Sequence, residues 1–213
     1  MTAGSWKWIS SFQKWYKRYD AWYDRHRFAF LSEVEAFKKV LPRGQGLEIG
    51  VGTGRFASAL GIGTGIDPSG NMLKMARGRG LNVRPGVGEK LPFAPGTFDY
   101  AAIIITLCFV KEPQKVLCEA ARVLKRNGTV AVGIVDKNSF LGKFYRTKKS
   151  VFYKQAKFLG VRDVADFLKR AGFQSLSYYQ TLFDFPEKMV AVAKPRRGFG
   201  RGGFVVIAAR KAS

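Results

Sequence analysis

Gly46-Leu47-Glu48-Ile49-Gly50-Val51-Gly52-Thr53-Gly54 is the stretch that decides the fold of this chain. A short apolar run ends there in three alternating glycines, and a helical pattern begins at Arg55. Glycine adopts positive φ and has no Cβ, so the backbone can turn sharply and come close to a ligand. The amides at the start of the following helix then face a polar group of that ligand. The stretch therefore predicts a buried strand, a ligand-binding loop and a helix.

Glu48 indicates which kind of ligand this loop would bind. It lies two residues before Gly50, in an otherwise apolar strand. A carboxylate is costly to bury unless a partner accompanies it. We therefore expect the loop to bind a ligand that carries a cationic or amino group.

Downstream of residue 46, short apolar runs alternate with helical segments, which is the pattern of βαβ units in a parallel sheet. The predicted strands lie near 46–50, 64–67, 81–84, 98–105, 128–135, 174–182 and 203–210. The predicted helices lie near 54–60, 69–78, 113–125 and 161–171. No helix separates the last two strands, so we expect them to form an antiparallel pair.

The first 45 residues have a different pattern, with aromatic residues at helical spacing. They predict an amphipathic helix over about residues 5–24 and a second helix that ends before Pro42. We divide the chain into this N-terminal part, residues 1–45, and a ligand-binding domain, residues 46–213. A basic and aromatic insertion at about 137–158 exceeds an ordinary connection of ~2–6 residues. It is expected to be a binding loop.

Composition limits the class of protein. The chain has 213 residues and a formal net charge of +22, which attracts polyanions without naming one. The longest apolar run, residues 100–110, is about half of the ~20 residues that a membrane-spanning helix needs. Cys108 and Cys118 lie in apolar sequence and are expected in the core. With no secretory leader pattern, the chain is expected to be cytoplasmic.

The glycine loop by itself has a second interpretation. Gly52 to Ala57 fits the GxGxxG/A pattern of dinucleotide-binding proteins, and Asp67 closes the next strand at a distance suited to a ribose. Against this interpretation, Glu48 would face a pyrophosphate, where a second negative charge is unfavourable. A nicotinamide-dependent dehydrogenase therefore stays open as a minor alternative.

Four motifs in order carry a more specific signal. They are residues 47–54; residues 65–69 with Met72; residues 89–93 with residues 97–99; and residues 122–129. In this pattern the chain resembles the class I S-adenosylmethionine-dependent methyltransferases, in particular the small-molecule branch similar to ubiquinone and menaquinone biosynthesis enzymes. It also resembles a thermophile-type group of small uncharacterised members. The resemblance implies a Rossmann-like, seven-stranded, mostly parallel sheet with helices on both faces, an antiparallel last strand and an N-terminal helical lid.

The resemblance also implies a cofactor, S-adenosylmethionine, and a role for each matching residue. The loop of Gly50, Gly52 and Gly54 would follow the methionyl part, with Glu48 near its amino group. Asp67, followed by Pro68, would accept hydrogen bonds from both ribose hydroxyls.

The remaining matches concern the adenine and the sulfonium. Met72 would pack on the adenine, and Gly88 and Glu89 would lie beside its edge. Thr106 and Leu107 would line the space around the sulfonium.

The lid would contribute the other contacts. Tyr19 and Tyr23 match an element that touches cofactor or substrate, and His26 is a candidate general base or substrate contact. One histidine and two distant cysteines make no usual zinc site, so no metal is expected.

The function that follows is transfer of a methyl group by in-line displacement to a small molecule bound between the N-terminal helices and the insertion. The basic residues of the insertion favour an anionic or electron-rich acceptor. The alternative is an RNA methyltransferase or RNA-binding protein that uses the basic surface and the Arg/Gly-rich residues 196–203. The same segment is also expected as a glycine-rich hairpin turn. The sequence indicates neither the acceptor nor the oligomeric state.

Overall fold

One mixed sheet forms the centre of the structure. The computed structural model describes residues 7–212, with side chains from residue 9, so the predicted helix start near residue 5 lies outside the described residues. The strands are β1 (Gly46–Ile49), β2 (Thr64–Asp67), β3 (Asn82–Pro85), β4 (Phe98–Ile104), β5 (Leu124–Val135), β6 (Phe173–Thr181), β7 (Arg196–Arg197) and β8 (Phe204–Lys211).

The strand order is β3-β2-β1-β4-β5-β8-β6-β7. The first five strands of the chain pair in parallel. β8 inserts between β5 and β6 and is antiparallel to both, which confirms the predicted antiparallel pair. Seven strands were predicted, and the described residues form eight. The additional strand, β7, has only two residues and pairs with β6, so no alternation of apolar residues signals it.

Helices cover both faces of the sheet. They are α1 (Lys7–Arg25), α2 (Arg27–Lys38), α3 (Arg55–Leu60), α4 (Gly70–Gly78), α5 (Pro113–Val123), α6 (Phe140–Thr147) and α7 (Val161–Arg170). α6 and a 3-10 turn, Tyr153–Gln155, lie within the predicted insertion, where the sequence analysis expected a loop. The side chain of Ser139 caps α6 by accepting a hydrogen bond from Gly142 N at 3.0 Å.

Two apolar layers hold the helices against the sheet. The layer under α5 and α7 includes Val116, Leu117, Val164 and Leu168, all with side chains that are 0% exposed. The opposite layer contains Phe37 of α2, which is also fully buried. α2 is therefore part of the main core, and a division of the chain at residue 45 stays a prediction.

α1, which we call the lid helix, is fastened across the carboxyl ends of β1 and β2 at two points. Asp20 accepts two hydrogen bonds from Arg55, at 3.0 and 2.6 Å, and two from Arg79, at 3.1 and 3.0 Å. Gln13 Oε1 accepts hydrogen bonds from Ser69 Oγ and Asn71 N at the start of α4. The lid helix is thus held to α3 and α4 by polar contacts.

The structure tests two expectations from composition, the absence of a membrane-spanning helix and the burial of Cys118. Every helix within residues 7–212 is too short or too polar to cross a membrane. Cys118 was expected in the core, but its side chain is exposed on α5. That expectation was wrong because apolar neighbours in sequence do not lie on the same face of a helix.

Gly133 of β5 tests how tightly α2 is packed. A Cβ at this position would lie 2.6 Å from Phe204 Cζ and 2.7 Å from Phe37 Cε2. Because both rings are fully buried, we expect Gly133→Ala to lower the free energy of unfolding by about 1–3 kcal/mol. Gly63→Ala is the matched control, since its Cβ would meet no atom within 4 Å. Denaturant unfolding of both variants provides the measurement, and equal stability of the two would contradict this description of the core.

Candidate functional site

The loop after β1 brings its backbone against the loop after β4. Gly50 has φ of +78°, and a Cβ there would lie 2.4 Å from Thr106 Oγ1. Gly52 has φ of +53°, and its amide points at the carboxyl group of Asp67. Glycine is required at these positions by the close approach and by the left-handed backbone.

Asp67 ends β2 and is fixed by two backbone amides. Its Oδ2 accepts from Gly52 N at 3.0 Å, and its Oδ1 accepts from Ser69 N at 2.8 Å. Burial raises the pKa of Asp67 to about 6, although these two hydrogen bonds oppose the shift. The carboxyl group is held in one orientation, with acceptor capacity left for hydroxyl groups of a ligand.

A cavity opens above the carboxyl ends of β1, β2 and β4, and we call it the glycine-loop cavity. Its volume, including the part that is open to solvent, is about 630 Å³. Most of the residues that the sequence analysis assigned to the cofactor line it: Tyr19, Gly50, Gly52, Asp67, Pro68, Met72, Gly88, Glu89 and Thr106. Phe12, Phe109 and Val110 also line it, and the sequence analysis missed them because nothing local in the sequence marks them.

The charge of this cavity distinguishes between ligands. Among the residues that line it, the side chains of Asp67 and Glu89 are carboxyl groups, and none is a lysine or an arginine. Glu89 is 8% exposed; its Oε1 accepts from Lys111 N at 3.2 Å, and its Oε2 has no partner within the described residues. A pyrophosphate would meet two carboxyl groups and no lysine or arginine of this wall. The donor set therefore fits S-adenosylmethionine, which carries a sulfonium, an amino group and ribose hydroxyls, and does not fit a dinucleotide.

The packing around residue 88 accounts for the glycine at this position. A Cβ at this position would lie 3.1 Å from Ile49 Cγ2 and from both methyl groups of Val116. That contact is closer than ordinary packing allows, so glycine lets the segment with Glu89 lie against the core.

Other predicted residues lie outside this cavity. Glu48 of β1 is 2% exposed, does not line the cavity and has no hydrogen-bond partner for Oε2 in the described part of the chain. Burial raises its pKa well above the ordinary range, and the charge of Asp67 adds to the shift. Gly54 caps α3 and packs against Leu81, and Leu107 is a core residue with 1% exposure. The roles predicted for these three residues stay predictions.

A second cavity, the lid cavity, lies under the lid helix beside the first, and its volume, including the part that is open to solvent, is about 1150 Å³. Its walls are mainly aromatic, and the residues concerned include Tyr19, Trp22, Tyr23, Tyr145, Phe152 and Tyr153. Four residues line both cavities: Phe12, Tyr19, Ile105 and Phe109. The two cavities are therefore direct neighbours.

Tyr19 stands at the boundary between the two cavities. Its hydroxyl group lies 2.6 Å from that of Tyr23. Burial raises the pKa of Tyr19 far above its ordinary value, and the charges of Glu48, Asp67 and Glu33 add to the shift while the hydrogen bond with Tyr23 opposes it. Three acidic groups from different elements thus lie near one point, and a cation bound there would stabilise their ionised forms.

His26 lies in the wall of the lid cavity, at the junction of α1 and α2. Its Nδ1 lies 2.9 Å from the carbonyl oxygen of Trp22, and the two rings stack with centroids 4.5 Å apart. Nδ1 donates to that carbonyl, so Nε2 carries the lone pair of the neutral ring. Nε2 lies 3.9 Å from Glu187 Oε1. A role for His26 as general base stays a prediction.

The comparisons with known proteins agree on one family for this chain. Residues 47–132 match a family model described as a methyltransferase domain. An uncharacterised protein of Methanocaldococcus jannaschii is 46% identical over 205 residues, which cover 95% of this chain and 100% of that protein.

Two further similar proteins have descriptions that state an activity. A crystal structure from Thermotoga maritima, described as an S-adenosylmethionine-dependent methyltransferase and possible histamine N-methyltransferase, is 44% identical. It has a TM-score of 0.94 over 96% of this chain and 99% of that one. The demethylmenaquinone methyltransferase of Tropheryma whipplei is 31% identical over 166 residues, with 64% of this chain and 69% of that protein covered. These findings confirm the resemblance on which the sequence analysis relied.

The contacts of Asp20 predict how firmly the lid helix closes both cavities. Asp20→Asn removes the charge that holds Arg55 and Arg79, so we expect the affinity for S-adenosylmethionine to fall about 10-fold, roughly 1.4 kcal/mol. Asp24→Asn is the control, because Asp24 bonds only Arg55 and is 66% exposed. It should change the affinity by less than about twofold. Calorimetric titration of both variants is the measurement, and equal affinities would show that Asp20 does not hold the lid helix closed.

Proposed function

The chain belongs to the S-adenosylmethionine-dependent methyltransferase family, and from this premise we propose that it methylates a small molecule bound in the lid cavity. The observation that carries the proposal is the shared wall of the two cavities. A ligand of the glycine-loop cavity and an acceptor in the lid cavity would meet at Tyr19, Ile105 and Phe109. The lid helix covers both, so water would be excluded from the meeting point.

The chemistry requires little from the protein beyond position. S-adenosylmethionine supplies a methyl group on a sulfonium, which is already an activated electrophile. Asp67 and Glu89 would orient the adenosine part, and the acidic surroundings of Tyr19 would favour the positive charge. The aromatic walls would hold the acceptor in line with the methyl group, and alignment of this kind accounts for a large part of the rate of bimolecular reactions.

The Arg/Gly-rich segment, residues 196–203, which suggested RNA binding, does not contribute to either cavity. Arg196 and Arg197 pair with β6, and the glycine-rich residues after them are held by Gln180, whose Oε1 accepts from Arg201 N at 2.9 Å and Gly202 N at 2.8 Å. The segment therefore forms the edge strand β7 and an ordered connection that passes β6 to reach β8, and not the expected hairpin turn, because β7 and β8 lie on opposite sides of β6. It lines neither cavity. Methylation of RNA is kept as an outcome of the experiment.

The experiment has two stages. We expect calorimetric titration to give binding of S-adenosylmethionine and S-adenosylhomocysteine, and none of NAD, because no basic side chain lines the glycine-loop cavity. Incubation with methyl-labelled S-adenosylmethionine and either a small-metabolite fraction or total RNA should then label only the metabolites. Label in RNA, with affinity that falls as salt rises, would replace the proposal by the RNA function. Binding of NAD alone would contradict both.

A further inference from the structure

Glu33 of α2 is a buried acid for which the described residues provide no partner. Its side chain is 2% exposed, and its Oε2 has no hydrogen-bond partner within residues 7–212. It lies in the wall of the lid cavity. An unpaired buried carboxyl group is unfavourable, and such groups are concentrated at functional sites.

The same helix carries an acid with the opposite properties. Glu35, two residues further on, is exposed and forms an ion pair with Lys38 at 2.8 Å. α2 thus presents one acid to solvent with a partner and one to the lid cavity without a partner. Glu35 is therefore a matched control for Glu33.

The surroundings of Glu33 are rings that carry no charge. Tyr19, Tyr23, Tyr145 and Tyr153 line the same cavity. Burial is the main cause that raises the pKa of all four hydroxyl groups, and the charge of Glu33 contributes to each shift. The phenols accordingly stay neutral, and the faces of neutral aromatic rings attract cations.

The lysine and arginine side chains that line the lid cavity lie at its solvent-exposed edge and not in its interior. Arg18, Arg25 and Lys148 are all exposed, and Lys148 lies 3.7 Å from Glu187. The interior of the lid cavity is therefore acidic and aromatic, while basic groups stand at its mouth. An ammonium group fits the interior, and an acidic group at the far end of the same molecule would fit the mouth.

We propose that Glu33 binds the amino group of the methyl acceptor and takes its proton, so that this enzyme methylates an amine nitrogen. The inference rests on the proposed function and adds the class of the acceptor. A phenolate or carboxylate acceptor would meet the charge of Glu33 with no lysine or arginine in the interior to offset it.

In the proposed step, the proton moves from the acceptor to Glu33, and the methyl group moves from sulfur to nitrogen. A bound ammonium gives one proton to the ionised Glu33 carboxylate, which frees the nitrogen lone pair. That lone pair forms the N–CH₃ bond while the S–CH₃ bond breaks and leaves its electron pair on sulfur. The products are a methylammonium, a neutral thioether and protonated Glu33. Burial raises the pKa of Glu33 to about 8, so the carboxyl group is ionised above about pH 8 or when a bound ammonium stabilises its charge. Once ionised, it is a better proton acceptor than a solvated carboxylate.

The test compares wild type, Glu33→Gln and Glu35→Gln on a panel of primary and secondary amines and on phenols and carboxylic acids of the same carbon skeletons. We expect wild type to methylate amines. Glu33→Gln should lower kcat about 100-fold or more, the range of a general base. It should also weaken binding of the amine to the protein saturated with S-adenosylhomocysteine, while its affinity for S-adenosylmethionine stays within about twofold. Glu35→Gln should behave as wild type.

Several results would overturn the inference: methylation of phenols or acids but not amines, full turnover by Glu33→Gln, or amine binding that does not depend on Glu33. In each of these cases binding of S-adenosylmethionine by wild type would leave the proposed function standing. Failure of wild type to bind S-adenosylmethionine would instead contradict the proposed function itself.

Discussion

The burial of carboxyl groups around Tyr19 is the constraint on which the rest of the site depends. Glu33, Glu48 and Asp67 come from α2, β1 and β2, and all three raise the pKa of this one hydroxyl group. No lysine or arginine lines the glycine-loop cavity beside them. Each buried acid is unfavourable for the free protein. A cationic ligand offsets that cost, and the arrangement therefore favours a sulfonium and an amine over a phosphate.

Such a site needs a rigid frame and a cover. The frame is the buried centre of the sheet, in which β1 and β4 pair and hold the two loops so close that a Cβ at Gly50 would collide with Thr106. The cover is the lid helix, whose attachment is polar and not only hydrophobic. Burial raises the pKa of Asp20, but the hydrogen bonds with Arg55 and Thr53 and the charges of Arg79 and Arg55 together outweigh it, so the pKa lies below the ordinary value. Asp20 is therefore ionised and paired, in contrast to the acids beneath the lid.

The sequence predicts those parts that depend on local backbone chemistry. The loop of Gly50 and Gly52 and the position of Asp67 at the end of β2 follow from short motifs, and the structure brings them together. Glu33 was assigned no role because its importance comes from the lid cavity, where α2 meets residues of α6 and of the turn Tyr153–Gln155, which are distant in the chain. It does interrupt the apolar face that includes Phe30 and Phe37, and that interruption was the available signal. The helix α6 was missed because its basic and aromatic composition resembles a loop.

The most direct test of the account is the number of protons released when S-adenosylmethionine binds. Asp67, with a pKa of about 6, accepts hydrogen bonds from two ligand hydroxyl groups best when it is ionised. The predicted contact of Glu48, whose pKa is raised by burial, with the amino group would require its ionisation as well. At pH 6 we therefore predict a net release of at least about half a proton per cofactor. Calorimetric titration in buffers of different ionisation enthalpy measures this number, and Asp67→Asn should reduce it. A binding enthalpy that is the same in every buffer would contradict the claim that buried, protonated acids form the cofactor site.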